Sequence, residues 1–239
     1  MLARAVRLLE VLAEVGVAGV SELSRRTGLP KTTVHRTAAE LDALGLVERA
    51  GDGFRLGGRL FELGSRVPGR RHLRDAALPF LEDLSRATNQ TVHLAVLDGG
   101  EVFYVERLVG SRSSEVPSSV ADRLPLHCTA TGKCVLAFGP PHLLDEVLTR
   151  PLVALTDAST TDPDELRRGL RDVRATGVAE EIGEVAGGLR SLAAPIRGHG
   201  DELIGALSAT GPMDDFPVER IEPMVVMAAA GLSRRLGAR

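Results

Sequence analysis

The run Lys31-Thr32-Thr33-Val34-His35-Arg36 gathers two cations, two small hydroxyls and an imidazole within one short stretch. Pro30 precedes it, a residue tolerated at a helix start and not in a helix interior, so the run reads as the opening of a helix. In that position hydroxyls and free N–H groups hold phosphates, and an Arg fork reaches the acceptor edge of a base. A different chemistry is suggested by Cys128 and Cys134, with Lys133 beside the second. A thiol near a helix start and an ammonium has a depressed pKa and can serve as a nucleophile or redox sensor. No matching set of base, acid and nucleophile accompanies these thiols, and a buried, inert cysteine is the commoner state. On or beside one helix they are also poor disulfide partners. His127, Cys128 and His93 lack the spacing of a metal site, so neither metal nor cofactor is expected.

The elements around the cationic run give it a purpose. The segment SELSRRTGLPKTTVHRTAAELDALGLV, from Ser21 to Val47, reads as two short helices with Gly28 supplying the turn. Ser21 is placed to cap the first, with Glu22 in its first turn. In the second, Val34, Ala38, Leu41 and Leu44 share one face, which leaves Lys31, Thr32, Thr33, His35 and Arg36 on the other. A solvated helical hairpin has the same pattern, but residues 46–56 are more specific. Leu46–Arg49, Ala50-Gly51-Asp52-Gly53 and Phe54–Leu56 read as strand, turn and strand. A hairpin directly after a recognition helix is a wing, and Arg49 and Arg55 flank its tip, within reach of phosphates or the minor groove. Ala5, Leu8, Leu9, Leu12 and Ala13 form an apolar stripe that closes the small core. Residues 1–60 are therefore expected to form a mainly α winged helix-turn-helix that reads duplex DNA.

Charge divides the chain in the same way. The whole is mildly acidic at net −3, yet residues 1–74 hold 13 Lys and Arg against 8 Asp and Glu, and the remainder 16 against 24. The basic end suits a polyanion and the acidic end does not. A hydrophobic content of 44% supports two cores, and with no Trp and one Tyr those cores must be aliphatic. No apolar run is long enough to span a bilayer and no signal peptide is evident, so a cytoplasmic protein without a membrane partner is expected.

Residues 61–74 read as a linker helix, interrupted at Pro68-Gly69, with arginines at 66, 70, 71 and 74 on a solvated or DNA-assisting face. Leu73, Ala77, Phe80, Leu81 and Leu84 continue a helical pattern that Pro79 should bend or restart. Beyond it, residues 75–239 mix hairpin strands at 91–97 and 101–107 with helices at 131–138, 141–149 and 164–176. Strands at 191–196 and 203–210 and a helix at 217–236 complete them. That order argues an α+β domain with a mainly antiparallel sheet.

The motifs GLPKTTVHR, DGFRLGGRLFELG and LPLHCTATGK, and the pairing of LRSLAAPI with LSATGP, resemble the IclR family of bacterial transcriptional regulators over nearly the whole chain. The resemblance implies a GAF-like second domain that binds a small organic acid or aromatic effector. It also implies a homodimer or dimer of dimers on palindromic operators. Carried over by position, it places the effector at Thr129, Ala130, Thr131 and Gly132, whose backbone leads into a helix, and at Glu181, Ser191, Ser208 and Thr210. Alternation puts Ser208 and Thr210 on one strand face. This chain departs from the family pattern at Ile182, inside an otherwise acidic stretch, and at Ser191, where cysteine is common. The reading is a ligand-responsive repressor without enzymatic activity; the alternative is a thiol sensor or enzyme using Cys128 or Cys134.

Overall fold

The computed structural model describes residues 2–64, 70–111, 116 and 118–238. They form two compact units, residues 1–71 and 72–239. The first contains α1 (Leu2–Val15), α2 (Val20–Thr27), α3 (Lys31–Ala43), β1 (Val47–Ala50), β2 (Gly53–Leu56) and α4 (Gly58–Gly64). Its core joins Leu8, Val11 and Leu12 of α1 to Leu23, Val34, Ala38, Leu41, Val47 and Phe54. Val11 takes the buried place expected of Ala13, which is exposed. β1 and β2 pair antiparallel, and Ala18 exchanges backbone hydrogen bonds with Phe54, which ties the wing to the chain between α1 and α2.

Two sequence expectations here need correction. Ser21 does not cap α2: the helix begins one residue earlier, the cap position is Gly19, and Ser21 lies exposed in the first turn. Leu44 does not join the buried face of α3 and is 60% exposed. The helix ends at Ala43, and the Leu46 N–H returns to Leu41 O at 2.9 Å, a helix-ending reversal that turns Leu44 out and Leu46 in.

The second unit is built on α5 (Arg70–Thr88), which begins at the boundary between the units, and a six-stranded sheet. Its strands are β3 (Thr91–Asp98), β4 (Glu101–Leu108), β5 (Arg123–Pro125), β6 (Ala179–Ile182), β7 (Leu189–Arg197) and β8 (Leu203–Pro212). They lie in the order β5-β4-β3-β8-β7-β6, every neighbour antiparallel. α5 and α9 (Val218–Arg235) supply the apolar core on one face, with Leu73, Leu81, Leu84, Ile221 and Val225 against Val92, Leu94, Leu192 and Leu207. α6 (Ala130–Phe138), α7 (His142–Val147) and α8 (Pro163–Thr176) supply that on the other, against Ala95, Ala193 and Ala206. Asp162 caps α8, accepting from the N–H groups of Asp164 and Glu165.

α5 is one continuous helix through Pro79, where a restart is a sequence expectation. Pro79 is exposed, so the helix carries the proline on its solvent side, where water can meet the backbone that the ring disturbs. The interruption expected at Pro68-Gly69 and the linker residue Arg66 lie outside the described residues. Arg74, expected on a solvated or DNA-assisting face, is exposed and also pairs with buried Glu106 of β4.

Candidate functional site

Lys31, Thr32, His35 and Arg36 stand exposed on the first turns of α3, and Thr33 is half-buried. Among the described residues none of the five makes a side-chain hydrogen bond or ion pair. Val34, Thr37, Ala38 and Leu41 bury the opposite face. The turn before α3 is fixed locally: Gly28 takes the left-handed φ of 71°, Ser24 Oγ donates to Leu29 O at 2.6 Å, and Thr27 Oγ1 to Leu23 O at 2.6 Å. On α2, Glu22 accepts from Arg25 and Arg26 at 2.7 and 2.6 Å, and these hydrogen bonds lower its pKa to about 2. The wing arginines are exposed but partnered. Arg55 donates to Glu48 at 2.7 Å, and Arg49 lies 5.3 Å from the centre of the Phe54 ring. A cationic face on α3, unpartnered among the described residues and beside a two-stranded wing, is what a major-groove reader needs.

On the α6 face of the sheet, registry assembles a buried polar array. Glu181, Ser191, Thr210 and Thr91 lie opposite one another across β6, β7, β8 and β3. The next row on that face holds Ala179, Ala193, Ser208 and His93. Thr210 Oγ1 donates to Ser191 Oγ at 3.0 Å, and Ser191 Oγ to Glu181 Oε2 at 2.9 Å. The other oxygen of Glu181 accepts from the N–H groups of Glu184 and Val185 at 2.6 and 3.1 Å. Burial nevertheless pushes the Glu181 pKa up. Ser208 Oγ lies 3.4 Å from His93 Nδ1, and His93 Nε2 lies 2.8 Å from Ser118 Oγ. Burial first, and the Arg107 charge second, lower the His93 pKa to about 3, so the imidazole is neutral.

The start of α6 meets this array through Thr131, whose Oγ1 lies 3.4 Å from Tyr104 OH. Thr129, Ala130, Thr131 and Gly132 are all buried. Thr129 caps the helix by accepting from the Gly132 N–H at 3.0 Å, so that N–H is engaged within the cap. A Cβ on residue 132 would come within 2.4 Å of Leu126 O, so glycine lets the helix seat on the preceding strand's end. The expected effector residues on β6, β7 and β8 are thus contiguous. Cavities of about 750 and 590 Å³ open elsewhere on the unit, beside His127 and α7 and along α8.

Sequence reasoning missed His93 as part of this array, along with Thr91, Tyr104 and Ser118. The signal was present in Thr91-Val92-His93-Leu94, where polar residues alternate with core residues. His127 is held by Val153 O at 3.0 Å. The alternative in which Lys133 activates a thiol gains no support: Lys133 pairs with Glu184 and donates to Glu180 O. Cys128 and Cys134 are free and buried, and desolvation pushes both thiols up, Cys128 to about 12. No group of metal-ligating residues occurs among the described residues.

A winged helix-turn-helix joined to an α+β unit with a buried polar array defines a two-domain DNA-binding regulator. The chain matches the family described as IclR helix-turn-helix domain over residues 1–51, and Bacterial transcriptional regulator IclR C-terminal over residues 66–234. It belongs to the IclR family of DNA-binding transcriptional regulators with a ligand-binding C-terminal domain. HTH-type transcriptional regulator XynR of Escherichia coli K12 is 32% identical, covering 98% of this chain and 96% of its own. Transcriptional repressor IclR of the same organism is 30% identical over 99% and 89%. An IclR homolog from Microbacterium hydrocarbonoxydans complexed with 4-hydroxybenzoate superposes with a TM-score of 0.88, at 34% identity and 98% coverage of each chain.

Proposed function

We propose that this protein is a repressor whose operator binding is modulated by a small organic acid or aromatic metabolite. Residues 1–60 dock a palindromic duplex operator as a homodimer or dimer of dimers, with the start of α3 in the major groove. Lys31, Thr32, Thr33 and His35 contact backbone and groove, Arg36 reaches a base, and Arg49, Arg55 and Ser21 meet phosphates. Residues 61–74 connect them to residues 75–239, where the effector takes the place of the hydrogen bonds that Thr210, Ser191, Glu181 and Ser208 now make, beside Thr129–Gly132. Such a switch operates only if the effector binds DNA-competent and incompetent arrangements unequally.

The observation that carries this reading is the exposed, unpartnered cationic face of α3 beside the wing. The repressor in the name of the Escherichia coli relative and the 4-hydroxybenzoate held by the structural neighbour support its finer parts. Elevated thiol pKa values speak against redox or nucleophilic chemistry at Cys128 and Cys134, and relatives named as regulators favour a protein that is not an enzyme. As a regulator that binds DNA it works in the cytoplasm; separately, among the described residues no helix is long and apolar enough to cross a membrane. The test is duplex selection from a random library, followed by a thermal-shift screen against organic acids and aromatic catabolites. A palindromic winner and an acid that both raises the melting temperature and alters duplex binding support the proposal; selection of no sequence would contradict it.

A further inference from the structure

The row holding Ser208 and His93 continues on β4 to Arg107, the cross-strand partner of His93. Residues opposed on one sheet face hold their Cβ atoms about 5 Å apart, so the stem of Arg107 rises beside the imidazole. Glu106, its neighbour, pairs through Oε2 with Arg74 of α5, and its Oε1 accepts from the Arg107 backbone N–H at 3.0 Å, not from the guanidinium. Arg107 donates from Nη2 to Val116 O at 3.0 Å. Its Nε is buried, and among the described residues it has no hydrogen-bond partner and no carboxylate pairs with the charge. Leaving a charged donor desolvated and unmet is costly, and a buried group of this kind asks for a partner that completes it.

We propose that Arg107 sets the charge specificity of the effector site, its guanidinium pairing with the carboxylate of a small monoanionic acid whose body lies along His93, Ser208 and Tyr104. The inference rests on the polar array being the effector site. One negative charge fits better than two, because Glu181 already places a carboxylate on this face and a dianionic phosphate would leave desolvated negative charge in excess. Neutral His93 supplies a donor or acceptor next to the guanidinium, and the Tyr104 ring, 4.9 Å from that of His93, gives an apolar wall. The Nε–H and an Nη–H form a fork that matches a carboxylate.

The full-length protein is titrated with benzoate, 4-hydroxybenzoate and pyruvate, each beside its primary amide. The wild type should bind at least one acid and prefer it to its amide. Arg107→Met should lose about 10- to 100-fold in affinity for that acid, the effect of removing a hydrogen bond to a charged group, and should bind acid and amide alike. Arg107→Lys keeps the charge without the fork and should lose less; it also serves if the Met variant does not fold. Full acid affinity in Arg107→Met, amides preferred over acids, or no acid bound by the wild type would each overturn the proposal. Ser208→Leu, which fills the array next to His93, separates the two readings. Acid binding lost there but kept in Arg107→Met leaves the site standing and removes the role of Arg107, whereas binding kept in both variants removes both.

Discussion

On α3, Lys31, Thr32, His35 and Arg36 are exposed and without side-chain partners among the described residues, whereas on the sheet Thr210, Ser191 and Glu181 are buried and bonded to one another. The residue types overlap but the energetics do not. A surface group in water costs the fold little and is available to a phosphate or a base edge. A buried hydroxyl or carboxylate must be satisfied before any ligand arrives, so a ligand gains only the difference between its hydrogen bonds and those it displaces. Substitutions should accordingly separate stability from recognition at the two ends.

The largest stability effect should come from Glu181→Ala, which leaves the N–H groups of Glu184 and Val185 and the Ser191 hydroxyl without their acceptor. We expect a loss of about 2 to 4 kcal/mol, read from the urea midpoint. A loss below about 0.5 kcal/mol would mean that the array is not the closed network described. Arg36→Ala should do the reverse: melting temperature nearly unchanged, operator affinity weakened by about 1 to 3 kcal/mol and specificity relaxed at one base position.

His93 gives the comparison a pH signature. Its native pKa of about 3 lies below the unfolded value near 6.5, so below pH 6.5 the unfolded chain takes up a proton that native His93 refuses. Stability should therefore fall as pH drops from 6.5 toward 3, with a slope of up to about 1.4 kcal/mol per pH unit from this residue. His93→Gln should remove that slope from the difference between the two melting profiles, and parallel profiles would contradict a buried neutral His93. The smallest expected change is at Lys31→Ala, a phosphate contact, which should weaken all duplexes alike and reduce the slope of log affinity against log salt by about 1.

The DNA-facing side was the more legible in sequence because its cues are local: Pro30 before the cationic run, Gly28 in the turn, the Gly-Asp turn of the wing. Errors there fell at helix ends. Backbone closure from Leu46 to Leu41 decides the fate of Leu44, and the extra residue of α2 moves Ser21 off the cap. The sheet site was only partly legible. Ser191, Ser208, Thr210 and Glu181 entered through family resemblance, and alternation alone put Ser208 with Thr210. His93 and Arg107 meet through the β3–β4 register, which shifts between Leu94 and Ala95 and so is not fixed by counting residues. β6, Ala179-Glu180-Glu181-Ile182, is too short and too charged to read as a strand, yet it carries the carboxylate on which the array ends.

If an effector held on the polar array alters the hold of α3 on DNA, blocking the array must uncouple the two. This can be read by fluorescence anisotropy of a library-selected duplex, titrated with wild type and with Ser208→Leu, each with and without the acid that most raises the wild-type melting temperature. We predict equal duplex affinity for both proteins without acid, a shift of about 5-fold or more for wild type with acid, and none for the variant. An acid-dependent shift of the same size in Ser208→Leu would contradict the coupling.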